Sequence, residues 1–323
     1  MSFTVSSTEL SKHLSAIAGV VPSKAVLPVL QSIHFRLEGN TLTLTGSDLE
    51  VGMQTRLRVE PTDDVGFDLA LPAKLLQDTL KALPEQPVAF QNEAESAVVR
   101  IKADNGEYEL NGAAGADFPQ PAAPAADMQA IEMPMPVLCK AIGKTLFAAS
   151  NDELKPALNG MFFDFKPGGA TFVATDAHRL VRYRRVDVTV PQEVSFIMPY
   201  KALKLLSAAG SGSEEACRIE YNASNAYFSF GDTRLSCRLI DARFPPYENV
   251  IPAQSPNRLV LNKKELLGSL RRLDIYANRA TRLGRFRLSG NLLEVQSEDL
   301  DSTSRAKENL HCLYDGGQLE IGF

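Results

Sequence analysis

Apolar and polar positions along this chain change period at regular intervals. Phe3 and Val5 alternate with polar residues, as on a half-buried strand, and Leu10, Leu14 and Ile17 then follow at helical spacing. Ile131 and Met133 alternate in the same way before Leu138 and Ile142, although the next helical position, Thr145, is polar. A third copy runs from Leu259 and Leu261 into Leu266, Leu270 and Leu273. The copies begin at Phe3, Ile131 and Leu259, so each starts 128 residues after the one before. Ser6, Pro134 and Asn262 stand where the period changes and are predicted to cap or open the helices.

A second echo, Leu71-Pro72-Ala-Lys74 and Met198-Pro199-Tyr-Lys201, has a spacing of 127 residues and predicts another helix per repeat with proline at its first position. The helix candidates are 6–17, 72–83, 135–148, 199–208 and 262–273. Between them Thr41-Leu-Thr-Leu-Thr, Ala97-Val-Val-Arg-Ile and Tyr227-Phe-Ser-Phe alternate, which predicts antiparallel strands. Strands predicted to end at Leu44, Phe172 and Val295 are followed at equivalent places by Asp48, Asp176 and Asp299. Aspartate bonding its own backbone suits a turn there. Asp117-Phe118-Pro119 and Arg243-Phe244-Pro245 each open a proline-rich stretch, the first with Pro121 and Pro124, the second with Pro246, Pro252 and Pro256. These stretches divide an α+β chain into modules 1–124, 125–252 and 253–323. The third module is only half a repeat long, and the period implies about 50 further residues.

Hydrophobic content of 44% and charged content of 23% over 323 residues suit a globular body of more than one module. No stretch approaches the roughly 20 apolar residues of a membrane span. The N-terminal MSFTVSSTEL has neither a basic nor an apolar signal region, so the expectation is a cytoplasmic chain without membrane contact. Cys139, Cys217, Cys237 and Cys312 lie far apart with no CxxC pair, which predicts reduced thiols. Charge changes the picture more. The helix candidates carry 0, +1, +2, +2 and +3, a net +8, in a chain whose formal charge is −5. Solvation explains lysines on any single helix, but a bias shared by repeated helices predicts one basic surface facing a polyanion. Such a surface follows phosphates without reading bases.

Phosphate-loop, dinucleotide, zinc-protease and serine-nucleophile signatures are absent from the sequence. No cofactor or metal is expected, and the chain is predicted not to be an enzyme. One alternative is a hydrolase using Asp176 and His178, the one pair suited to acid–base work. Another is a protein-only scaffold of repeats. His178-Arg179-Leu180 is confined to the middle module, which points to a binding role placed on one copy.

Phe3-Thr-Val5, Leu27-Pro28, Gly46-Ser-Asp48-Leu-Glu50, Asp117-Phe118-Pro119, Leu158-Asn-Gly160-Met161, Ala174-Thr175-Asp176, His178-Arg179-Leu180, Arg243-Phe244-Pro245 and Ile321-Gly-Phe323 are spread over the whole chain. In these strings the sequence resembles the bacterial sliding clamp family, the β subunit of DNA polymerase III. The resemblance implies a DNA-clamp fold of three similar modules, each of two βαβββ halves with the third incomplete. It implies closure head to tail as a homodimeric ring. The implied function is that of a processivity factor in DNA replication, a ring that encircles and slides on duplex DNA without sequence preference. The implied partners are the DNA polymerase III catalytic subunit, the clamp loader, translesion polymerases and repair proteins, which dock through short linear peptides.

The resemblance assigns a peptide pocket between the middle and last modules to Leu158, Thr175, Ala177, His178, Arg179, Leu180, Pro245, Asn249 and Val250. Ala177 replaces a glycine common in the family, and Asn249 a frequent basic residue. The family's terminal Met-Pro-x-x-Leu string, which lines that pocket, has no counterpart here. Lys24, Lys74 and Lys201 match basic residues facing the lumen, while Lys140, Lys144, Arg271 and Arg272 join them from the charge pattern alone. For ring closure the matching positions are Tyr108 and Leu110 against Ile275 and Tyr276.

Overall fold

Each change of period marks a helix start. The computed structural model describes residues 2–62, 66–93, 96–126, 128–188, 190 and 193–323. Its α-helices are α1 (Ser7–Ala18), α2 (Ala73–Ala82), α3 (Met135–Thr145), α4 (Tyr200–Ala209) and α5 (Lys263–Leu273). Ser6 caps α1 by accepting the Glu9 N–H, and Asn262 caps α5 by accepting those of Lys264 and Glu265. These bonds satisfy amides that a helix start leaves without partners. Pro72 and Pro199 sit one position earlier than expected, as N-caps rather than first helical residues. Both close the preceding strands, Asp68–Pro72 and Val194–Pro199, where an extended backbone accommodates the fixed proline φ. The 135–148 candidate also ends early, at Thr145, whose hydroxyl donates back to the Ala141 carbonyl at 2.6 Å. A 3-10 turn, Leu146–Ala148, follows.

The chain divides into two units, Met1–Pro245 and Pro246–Phe323. In the first unit a nine-stranded antiparallel sheet crosses from one repeat to the next, because Val51–Arg58 pairs with Thr233–Arg238, Met53 opposite Leu235. Gly52 lies on this seam, where a Cβ would come 2.6 Å from the Pro121 ring. Tyr227 donates to the Ala123 carbonyl, so the proline-rich stretch is pinned to the sheet. A five-stranded sheet containing Ser2–Ser6 and Gly106–Asn111 lies in the first repeat. A four-stranded sheet in the second has the order Leu180–Arg185, Gly169–Thr175, Gly160–Lys166, Val194–Pro199. The strands predicted to end at Leu44, Phe172 and Val295 run on to Ser47, Thr175 and Asp299, since ladder pairing continues up to the turns themselves.

Helices bury one stripe against these sheets: Leu10, Leu14 and Ile17 on α1, Leu138 and Ile142 on α3, Leu203 and Leu206 on α4. Full burial of each such side chain contributes roughly 1.5–3 kcal/mol. The Phe-Pro signals have a common purpose. Phe118 stacks on His34 at 5.4 Å and Phe244 on Phe162 at 4.7 Å, and the two supporting rings occupy equivalent places in the repeat. The second unit is smaller, with Leu273 of α5 packed among Leu288, Leu293, Val295, Cys312 and Tyr314. Leu266 and Leu270, expected to be core, are partly buried against that cluster. Among the described residues no helix is long and apolar enough to cross a membrane.

Candidate partner and nucleic-acid interfaces

The loop joining Gly169–Thr175 to Leu180–Arg185 is built from its own polar side chains. The Thr175 hydroxyl donates to the Arg179 carbonyl at 2.7 Å and accepts the Ala177 N–H at 3.1 Å. Asp176 Oδ1 accepts the His178 and Arg179 N–H groups, both at 2.9 Å, while Oδ2 pairs with the Arg179 guanidinium at 3.0 Å. Burial pushes this carboxyl's pKa up, but the two amide donors and the arginine charge outweigh that and hold it below the usual carboxylate range. These bonds fold the chain back so tightly that Ala177 takes φ +78°. Leu49 has the same φ in the equivalent loop, where Asp48 accepts the Glu50 and Val51 N–H groups. At Asp299 the pattern is looser, with the Asp301 N–H, Asn278 and Ser302 as donors.

The turn expectation therefore holds for Asp48 and Asp176, whereas Asp299 serves its turn from the last strand position, opposite Ser304, the register place of Ser47 and Thr175. Asp176 is occupied by its own loop, and the exposed His178 reaches it through the backbone N–H, so the loop is not arranged as an acid–base pair. Among the described residues no His, Cys, Asp and Glu group is suited to hold a metal ion. The cysteines are free thiols, and burial pushes Cys217 and Cys237 up to about 12.

Of the predicted pocket residues in this unit, Leu158 is buried, Leu180 is half-buried opposite Thr175, and Ala177, His178, Arg179 and Pro245 are exposed. Leu158 closes the one-turn helix Pro156–Leu158, just before the strand Gly160–Lys166 in the same sheet. The Arg179 guanidinium lies 5.8 Å from the centroid of the Phe147 ring, which is 58% exposed. Phe147 escaped notice in the sequence because a helix through 148 left it on a nondescript face. Its signal was Thr145, a polar residue at a core position. In the second unit Asn249 and Val250 are exposed at the end of the one-turn helix Tyr247–Val250.

The basic residues fall into two groups. Lys24, Lys74, Lys140, Lys144 and Arg271 are exposed. Lys201 instead forms an ion pair with Asp48, and Arg272 a two-pronged one with Glu308 at 2.7 and 2.6 Å. Of the ring-closure positions, Tyr108, Ile275 and Tyr276 are exposed, whereas Leu110 is 3% exposed and packs in its own unit's core.

The profile of the DNA polymerase III beta subunit N-terminal domain matches residues 1–122, and that of its central domain matches 132–246. The beta sliding clamp of Pseudomonas aeruginosa is 30% identical over 325 residues, covering 100% of this chain and 87% of the relative. That of Synechococcus elongatus is 31% identical, covering 98% and 85%. The chain belongs to the bacterial DNA polymerase III beta subunit family, the beta sliding clamps. The crystal structure of the P. aeruginosa DnaN sliding clamp bound to griselimycin matches with a TM-score of 0.91 at 29% identity, over 100% of this chain and 87% of that one. The clamp fold thus accounts for the 128-residue period, the two helices in each of the first two repeats and the sheet that crosses from one repeat to the next.

Proposed function

We propose that this chain is a processivity factor of DNA replication: a subunit of a homodimeric ring that encircles duplex DNA, slides on it and tethers DNA polymerase III. The observation that carries this reading is similarity to beta sliding clamps over the whole of this chain and 87% of the relative. In this reading the working division is 1–124, 125–252 and 253–323, and the protein acts in the cytoplasm without bond chemistry of its own. Exposed Lys24, Lys74, Lys140, Lys144 and Arg271 supply a sequence-indifferent attraction for phosphate. Retention comes from ring closure, which the reading assigns to the strand edge at Tyr108 of one copy and Ile275 and Tyr276 of another.

The polymerase, the clamp loader, translesion polymerases and repair proteins dock short peptides on the Thr175–Leu180 loop face. Leu158, Leu180 and Pro245 offer apolar contact there, and Arg179 with Phe147 offers a charged and aromatic edge. Loading the full chain onto primed circular DNA and measuring polymerase product length tests the reading. Retention on circles, release on linearisation and longer products are expected. A protein that neither stays on circles nor lengthens products is not a clamp, and a protein-only scaffold is then favoured. Hydrolytic turnover lost in His178→Ala would favour the hydrolase.

A further inference from the structure

Asp48 and Asp176 serve equivalent turns and Asp299, the last strand residue opposite Ser304, serves a third, yet their second carboxylate oxygens have different fates. Asp176 Oδ2 pairs with Arg179 of its own loop, and Asp299 Oδ2 accepts the Ser302 hydroxyl. Asp48 Oδ2 reaches outside its loop to Lys201, 153 residues along the chain, at the start of α4. The pair therefore joins the turn before Val51–Arg58 in the first repeat to a helix of the second. It lies close to the seam where that strand meets Thr233–Arg238. Nearby packing supports the same joint, since a Cβ on Gly19, at the end of α1, would come 2.6 Å from the Leu205 side chain of α4.

Lys74 and Lys201 occupy the same place in the repeat, two residues after Pro72 and Pro199. Both are exposed, but among the described residues Lys74 forms no ion pair. A phosphate approaching Lys74 meets a free ammonium. At Lys201 it must displace a carboxylate whose other oxygen is anchored by two backbone amides, at 3.0 and 2.7 Å. That anchoring keeps the carboxylate in place, so the competitor is fixed while the lysine is flexible.

We propose that Asp48 is a built-in competitor for duplex phosphate at Lys201, so that this clamp grips DNA through Lys74 while Lys201 is held back as a joint between repeats. The proposal rests on the DNA-encircling reading above. It explains how a ring with basic helices keeps its hold on DNA weak enough to slide, since each phosphate contact withheld lowers the salt-dependent part of binding.

The test compares the full-length protein with Asp48→Asn, Lys201→Ala, the double variant and Lys74→Ala, using anisotropy of a fluorescent duplex DNA over a salt series. Asparagine keeps the carbonyl that serves the turn and removes the charge, and a melting curve checks that the fold is retained. Asp48→Ser, which also serves such turns, is the second variant should the first unfold. Asp48→Asn is expected to tighten low-salt binding about two- to fivefold and to steepen log K against log salt by about 0.9. Lys201→Ala alone should change little, and in the Asp48→Asn background it should abolish the gain. An unchanged slope in Asp48→Asn, a gain that survives Lys201→Ala, or a Lys201→Ala loss equal to that of Lys74→Ala would overturn the proposal. Duplex binding absent from the wild type at every salt concentration would instead remove the DNA reading, and the proposal with it.

Discussion

Replacing Ala177 by glycine should stabilise the first unit without adding a contact. Ala177 holds φ +78°, where a Cβ crowds the carbonyl oxygen at a cost of roughly 1–2 kcal/mol. Glycine removes that strain but gives the unfolded chain more freedom, which takes back about 0.4–1 kcal/mol. The net expectation is a gain of about 0.8 kcal/mol, within a range of about 0–1.6, or roughly 2–3 °C in Tm for a unit of this size. The loop's polar bonds come from Thr175, Asp176 and backbone groups, so the substitution leaves all of them in place. Scanning calorimetry of the full chain reads the first-unit transition. Ala177→Val supplies the opposite sign, because a β-branched side chain tolerates positive φ worst. A glycine variant that melts lower than wild type, or a valine variant that melts with it, would show that the turn carries no such strain.

Three further outcomes follow from the geometry. Asp176 has a folded pKa below its ordinary 3.8, so it contributes stability above that pH and loses the contribution as pH falls through the depressed value. Melting of wild type and Asp176→Asn should therefore differ near neutrality and converge in acid, and a gap that widens below pH 4 would contradict this. Leu180→Ala should weaken a clamp-binding peptide by about 1–3 kcal/mol in calorimetric titration, with the melting curve as the check on folding. Undiminished affinity would move the site away from the Thr175–Leu180 loop. In the second unit Leu273→Ala should cost about 2–5 kcal/mol and speed hydrogen exchange throughout 246–323, since Leu273 is 1% exposed. Leu267→Ala, on the exposed side of α5, should stay within about 0.5 kcal/mol; equal effects would mean that the stripe is misassigned.

The repeat, the helix starts and the turn aspartates were legible in the sequence because each rests on local chemistry. A cap needs Ser6 or Asn262 beside the amides it serves, and Asp176 bonds residues two and three positions along. Periodicity reports which face is buried, so Leu10, Leu14 and Ile17 identified themselves as core without any partner being known. The clamp resemblance was carried in the same way, by short strings that keep their order along the chain.

Tertiary structure decided whatever depends on residues far apart in sequence. The repeat echo and the family resemblance made Lys74 and Lys201 equivalent, yet one is free among the described residues and the other is held by Asp48 from another repeat. Arg272, read as a DNA contact, is engaged by Glu308 across α5 and the strand Ser304–His311. Leu110, read as an interface residue, is buried in the core opposite Val99, while Tyr108, on the same face of the strand Gly106–Asn111, is exposed. Phe147 lies exposed on the 3-10 turn Leu146–Ala148 that follows α3, beside Arg179 from a loop 32 positions along the chain. A side chain's charge and size are set by its codon, but its availability depends on which distant groups the fold brings within reach, since ion pairing and burial act through space and not along the chain.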